Sequence, residues 1–334
     1  MDEGRRTPAV VLYRVLVVAV IAGVLILLAV LIFRYSEGAH MNPYEYSIEE
    51  FMDVPEELLL WDEASVIELD IAQPAGLAVD AQDRIFVAGA QEVAIWNAEG
   101  TAAGRFSTLA PARTIAIGPQ GQIFVASVDH VNVYGPDGSH ESEWTSLGEG
   151  AFISGMAATD DAVYLADAGS KLIWRFDTSG RLLSQIGRPR PSADYHGFLI
   201  PSRCFDVAAA TDGALWITNP GRLRVEKYSP DGSLDAYWGE PSMGIEGFCG
   251  CCNPTHLAVT RQGHVVTSEK GLPRVKVYEP DGSLNTVVAG PRHFAPGTVG
   301  LDLAADSMGR VLVLDGGAGL VRIFVRRSEE GKTP

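Results

Sequence analysis

Apolar and polar positions along this chain fall into two kinds of pattern. The first is one run of nineteen residues without a charge, Val15 to Phe33, "VLVVAVIAGVLILLAVLIF". At about 1.5 Å per residue it is long enough to cross a hydrocarbon core of roughly 30 Å, and it predicts a single transmembrane helix. The second pattern starts at Pro74 and repeats. Each unit opens on a short apolar strand: "GLAVD" at 76, "TIAIG" at 114, "GMAAT" at 155, "DVAAA" at 206, "HLAVT" at 256 and "DLAAD" at 302. A turn leads to a second strand such as "RIFVA" at 84 or "ALWIT" at 214, and a third strand alternates apolar and polar residues, as in "VAIWN" and "RVEKY". Five of the six units then turn on a glycine, three of them with Pro-Asp-Gly-Ser at 136, 230 and 280. Proline presets φ for a type I turn and glycine accepts a positive φ, so each tetrapeptide predicts a hairpin into a fourth strand.

Six units of four short antiparallel strands, spaced 38 to 51 residues apart, predict an all-β fold, a six-bladed β-propeller. In its apolar-Ala-apolar first strand, Asp/Gly turn, aromatic-rich strand and aromatic-DG hairpin the repeat resembles the NHL-repeat family over about residues 64 to 327. The resemblance implies four-stranded blades around a central channel. The sixth unit ends at "VRIFVRRSEEGKTP" with no room for a fourth strand. An open ring would leave unpaired edges, so "ASVIELDI", Ala64 to Ile71, is expected to close blade six and join the two ends of the domain. The chain thus divides into a tail (1–14), an anchor (15–33), a stalk (34–63), the propeller (64–327, with 64–71 closing blade six) and a tail (328–334). In the stalk, Ser47 with Glu50 forms a capping-box pattern that predicts a short helix, and Leu58 to Leu60 are expected to pack on the domain.

Charge and flanking residues set the compartment. The apolar run continues into Arg34, Tyr35 and Glu37 without an A-x-A cleavage pattern, which points to an uncleaved anchor. Arg5, Arg6 and Arg14 precede it, so the positive-inside rule places the N-terminus in the cytoplasm and the propeller outside, in the periplasm or extracellular space. Residues 1–34 hold four Arg against Asp2 and Glu3, a net of +2, which leaves −18 on the rest of a chain with −16 overall. A domain this acidic does not attract nucleic acid or anionic headgroups by charge. Its membrane contact is expected through the helix alone.

Departures from the repeat mark the candidate site. Two connections between an outer strand and the next inner strand are enlarged, Arg188 to Arg203 and Glu240 to Asn253, on the face where the second-to-third-strand turns also lie, over the channel mouth. Aligned on the apolar-Ala-apolar triplet, the residue just before it is Gly76, Thr114 and Gly155 in blades one to three, but Asp206, His256 and Asp302 in blades four to six. Buried groups of this kind need hydrogen-bond partners or a cation. They are therefore either satisfied structural groups or ligands of a divalent cation in the channel. His196 and His293, in the connections before blades four and six, are secondary candidates. So are Glu269 and Arg274 on the same face, where Asp167, Asn219 and Asp315 occupy the corresponding turns and Lys270 and Arg322 could counter them.

Cys204, Cys249, Cys251 and Cys252 end the two insertions in front of neighbouring inner strands. An even count outside the cytoplasm suggests disulfides, and the least strained pairing joins Cys204 to Cys251 and Cys249 to Cys252. A C-x-C-C spacing does not match the usual zinc or iron–sulfur ligand patterns, yet a metal or thiol–disulfide site stays open. No nucleophile–base motif is recognisable. The expectation is therefore a membrane-anchored binding or scaffold module, not an enzyme, taking a protein, peptide or carbohydrate partner at the mouth of blades four to six. The alternatives are a metal-dependent hydrolase or lyase using Asp206, His256 and Asp302, as relatives of the fold resembling lactonases and the peptidyl-hydroxyglycine lyase imply by position, and a cysteine-based redox or metal site.

Overall fold

The structure is a computed structural model that describes residues 8–37, 48–189 and 197–327. The chain divides into two units, residues 1–48 and 49–334. The described part of the first is one helix, Pro8–Glu37, whose stretch Leu12–Leu31 is apolar enough to span a membrane and has none of its surface buried by protein. It extends beyond the uncharged run at both ends, since a helix continues through flanking residues of fair propensity once propagated.

The second unit is a six-bladed propeller of four-stranded antiparallel sheets. Its inner strands are Gly76–Val79, Thr114–Ile117, Ile153–Ala158, Val207–Ala209, His256–Val259 and Asp302–Ala305. In five blades the strands follow in sequence order. In the sixth, the three C-terminal strands are completed by Trp61–Glu68 from the start of the domain, paired antiparallel with Leu320–Arg326. The closing strand begins three residues before the alternation at Ala64. Trp61 is buried against the cluster formed by blades five and six and its indole Nε1 donates to Thr286 Oγ1 at 2.8 Å; the register then slips between Glu63 and Ser65. Ahead of it, a three-residue 3₁₀ turn, Glu49–Phe51, stands where a helix was expected; Ser47 of its capping box lies outside the described residues. Leu59 bridges to Val287 and Leu60 packs against the core, so this segment lies on blade five.

The second strands of the blades are buried along their whole length, because each sheet is covered on both faces by its neighbours. They therefore read as continuous apolar runs rather than alternating ones. The hairpin glycines do more than turn the chain. A Cβ at Gly282, where φ is +90°, would lie 2.4 Å from Trp238 Cγ in the preceding blade. Gly138 and Gly180 meet Phe106 and Trp144 in the same way. In blades two, three and five the glycine turn is thus the seat for the outer-strand aromatic of the blade before it. Trp238 reaches on to Tyr278, their ring centroids 4.7 Å apart.

Candidate functional site

The mouth face is built by the connections that enter each inner strand and by the turns between second and third strands. Three buried polar side chains at the ends of second strands clip these two sets of loops together. Asp167 Oδ1 accepts the Phe152 N–H at 2.7 Å, Asn219 Oδ1 that of Leu199 at 3.0 Å, and Glu269 Oε2 that of Cys249 at 3.0 Å. Asp167, Asn219 and Asp315, the residue at the corresponding position of blade six, are turn residues in the sequence and fully buried in the fold. Asp315 stands 3.5 Å from Arg322, which also reaches Glu63 of the closing strand at 2.9 Å.

The clip of blade five is a charged cluster. Glu269 accepts from Arg274 Nε at 2.9 Å and Nη2 at 2.8 Å, and Lys276 Nζ lies 2.8 Å away. The two cations then hold the insertion from beneath. Arg274 Nη1 donates to the carbonyls of Met243 and Gly244, and Lys276 Nζ to those of Ile245 and Gly247, with Phe248 and Tyr278 rings around the ammonium. Burial pushes the Lys276 ammonium down to about 8 against the attraction of Glu269. Burial also works against the charge on Glu269, but Lys276 and Arg274 hold its carboxyl below the usual range. Lys276 carries no warning in the sequence, since "VKVY" is an ordinary alternating strand; only the insertion that folds over it makes it interior. Glu226 is a similar case: buried in blade four, it collects Asn219, Arg224 and the Tyr228 hydroxyl.

Asp206, His256 and Asp302 come together at one level of the channel, each offering a ligand atom within 4.8 Å of the others. His256 Nδ1 lies 3.4 Å from Asp206 Oδ2 and 3.6 Å from Asp302 Oδ1. Each carboxylate also stitches two blades. Asp206 Oδ2 accepts the Leu257 N–H of blade five at 3.0 Å, and Asp302 Oδ2 accepts the Leu77 N–H of blade one at 2.8 Å. Their other oxygens accept the N–H groups of Val207 and Leu303. Room for Asp206 comes from Gly155, where a Cβ would stand 2.1 Å from Asp206 Oδ1. Burial disfavours a charge on His256, but Asp206 and Asp302 outweigh it and lift the imidazole to about 9; burial raises Asp302 to about 6 in spite of His256. At neutral pH the group is an imidazolium between two carboxylates. Its donor set, two oxygens and one nitrogen, suits a hard or borderline divalent cation once the imidazole gives up its proton. The channel beside it has a volume of about 190 Å³ and is walled by the six inner strands.

The four thiols are all free, and the nearest sulfurs are those of Cys251 and Cys252, 3.1 Å apart, rather than the pairs Cys204–Cys251 and Cys249–Cys252. Cys249 is buried, its Sγ turned toward the Lys270 carbonyl at 3.9 Å, and Cys204 Sγ lies 4.0 Å from Lys270 Nζ. The insertion is pinned at Cys249 by Glu269 and at Asn253 by Lys270 and its own chain, and this fixes where each sulfur points. Burial raises the Cys249 thiol, with Glu269 adding to it, and the hydrogen bond with Cys252 raises Cys251. Both are protonated at neutral pH, the form that neither attacks nor binds metal. His293 is exposed on a 3₁₀ turn, Pro291–His293, with its ring 6.3 Å from that of Phe324, and takes no part in the triad. His196 lies outside the described residues.

No family model and no curated protein matches this sequence. Solved structures do match its fold. A streptogramin B lyase is 10% identical with a TM-score of 0.55, the match covering 79% of this chain and 97% of that one. Virginiamycin B lyase from Staphylococcus aureus is 13% identical with a TM-score of 0.53, over 75% of this chain and 81% of that one. A protein of unknown function from Bacteroides thetaiotaomicron is 13% identical with a TM-score of 0.56, over 79% and 72%. At these identities the likeness is one of fold, the six-bladed propeller.

Proposed function

We propose that this chain is a membrane-anchored, extracytoplasmic NHL-type propeller that binds a protein, peptide or carbohydrate partner at the channel mouth of blades four to six. The reading rests on the way the 240–253 insertion is held. Three buried charges, Glu269, Arg274 and Lys276, are committed to fixing a surface loop, an arrangement that costs desolvation and returns little stability over an apolar core. What it provides is a preorganised surface with Met243 presented outward, as Leu199 is on the 188–203 connection that Asn219 clips. Membrane-solubilised full-length chain carrying Leu199→Glu and Met243→Glu should lose a partner that the parent and a Leu182→Glu control both retain. A partner retained equally by all three ends the proposal.

A second reading, a metal-dependent enzyme of hydrolase or lyase type, is favoured by one observation: Asp206, His256 and Asp302 converge on a point that a divalent cation could share. A cation there would polarise a bound carbonyl or acidify water. The residues of this chain would hold it, the two carboxylates already oriented by backbone N–H groups. Because the imidazole must lose a proton held to about 9, affinity for the metal should rise about tenfold per pH unit up to that value. Elemental analysis of the full chain before and after chelation tests it. A metal-free protein whose stability does not respond to added Mg²⁺, Mn²⁺ or Zn²⁺ would sink the idea.

A further inference from the structure

A second cleft, of about 460 Å³, opens among the mouth-face loops of blades two to four, away from the triad. Its walls include Arg113, Val128, Phe152, Gly169, Ser202 and Arg203. The guanidinium carbons of Arg113 and Arg203 stand 5.3 and 4.5 Å from the ring centroid of Phe152, so two cations share one aromatic ring. Neither has a carboxylate partner among the described residues; ten other arginines each pair with one, while Arg188, Arg222, Arg261 and Arg326 likewise do not. What sets Arg113 and Arg203 apart is that they share a ring in one cleft. Lys270, from blade five, is a third cation without a carboxylate there, and its Nζ donates to Ser202 Oγ in the wall at 3.2 Å. One arginine on Phe152 would be an ordinary cation–π contact; a second adds another positive charge to the same cleft, which a bound anion would offset.

The floor is fixed in advance. Asp167, fully buried, accepts the N–H groups of Phe152, Gly169 and Ser170 on one oxygen, and the Ser170 hydroxyl and Trp174 indole on the other. Gly169 lies so close to the Gly150 carbonyl that a Cβ there would come within 1.9 Å of it. The ring that carries both arginines is therefore anchored through its own backbone, and the side chains need only close on a ligand. We propose that this cleft binds a small molecule bearing a carboxylate or phosphate group, gripped by the forked donors of Arg113 and Arg203 with Lys270 and Ser202 at one edge. No triad residue lines the cleft, and although Ser202 and Arg203 share the 188–203 connection with Leu199, the groups that would hold the anion are not those tested above, so the two readings can fail separately.

Calorimetric titration of the detergent-solubilised full chain at low ionic strength, with inorganic phosphate and with citrate as probes, tests the assignment. At least one probe should bind saturably, and the tighter of the two identifies the group the cleft prefers. Arg113→Gln and Arg203→Gln should each weaken binding about tenfold or more, as loss of a charge-assisted bond does. Arg203→Lys should restore only part of it, and Arg181→Gln, whose side chain pairs with Asp177, should bind as the parent does. Arg113 and Arg203 are exposed, so the ligand-free melting temperatures of their variants should match the parent's. Failure of the parent to bind either probe saturably, or undiminished binding by the Arg113→Gln/Arg203→Gln double variant, overturns the proposal.

Discussion

Replacing Glu269 by Gln should reach further through the mouth face than any other single change. The shape of the side chain is kept and its charge is removed, leaving Arg274 and Lys276 buried without the carboxylate that now sits 2.8 Å from each. Breaking a buried pair from one side costs about 3–5 kcal/mol. Here both cations keep carbonyl acceptors in the insertion, Met243 and Gly244 for one and Ile245 and Gly247 for the other, which places the cost near the lower end. A propeller of this size loses roughly 2–4 °C of melting temperature per kcal/mol, so the variant should melt about 6–12 °C lower. Adding Lys276→Met removes one of the stranded cations, and the double variant should be less destabilised than the two single effects summed. The deficit also has a pH signature. The folded pKa of Lys276, about 8, lies below the ordinary 10.5, so its penalty is complete below 8 and fades as pH rises toward 10.5. Without Glu269 that pKa falls further, and the deficit of Glu269→Gln should therefore shrink between pH 7 and pH 9.5. Urea and thermal unfolding of the full chain, followed by tryptophan fluorescence at both pH values, reads all of this. A loss below about 1 kcal/mol, or one that grows with pH, would refute the reasoning, because it would mean that the three charges do not share a water-free site.

Other outcomes follow from the same geometry. For His256, the folded pKa of about 9 lies above the unfolded 6.5, so its contribution to stability is complete below 6.5 and is lost as pH rises to 9; the shift caps the loss at about 3 kcal/mol. The parent should weaken over that window relative to His256→Gln, and parallel pH profiles would count against the imidazolium. Trp61→Ala should cost about 3–5 kcal/mol and expose the seam between blade six and its closing strand to protease, whereas unchanged protease resistance would contradict the closure described here. Gly282→Ala should destabilise by more than 1 kcal/mol in urea, since it combines a positive φ with the Trp238 ring, and a neutral effect would mean that the ring does not rest on the turn. With thiol-labelling reagents, exposed Cys251 should react in the folded chain and buried Cys249 only on unfolding, as mass spectrometry of the labelled peptides can establish.

Most of the fold is legible because a propeller repeats its arithmetic six times: a weak strand pattern becomes strong when it recurs in register, and a unit short of one strand demands another from elsewhere. The level at which Asp206, His256 and Asp302 meet was legible for the same reason, since aligned inner strands put equivalent residues on one ring. What the sequence hid depends on the insertions, which follow no period. Lys276 and Glu226 occupy ordinary polar positions of alternating strands; Lys276 becomes interior because the 240–253 insertion covers it, and Glu226 is buried among Asn219, Arg224 and Tyr228. The orientation of the cysteines was equally out of reach. Spacing along the chain says which sulfurs can approach, whereas the clips at Cys249 and Asn253 decide which do. Arg113 and Arg203, 90 positions apart, share Phe152 through the packing of three blades, and no local motif marks them.

The segment Glu49–Leu60 has a mechanical consequence. Before the chain enters the closing strand at Trp61 it is fastened to blade five at several points: Asp53 to Arg292, Val54 against Gly290, and the Leu58 carbonyl to the Val287 N–H at 2.8 Å. Tension arriving along the backbone from the helix side therefore loads these fastenings first, and only after they yield does it reach the strand on which ring closure depends. The segment works as strain relief does on a cable, letting the chain ahead of it be pulled without unzipping the joint it leads to.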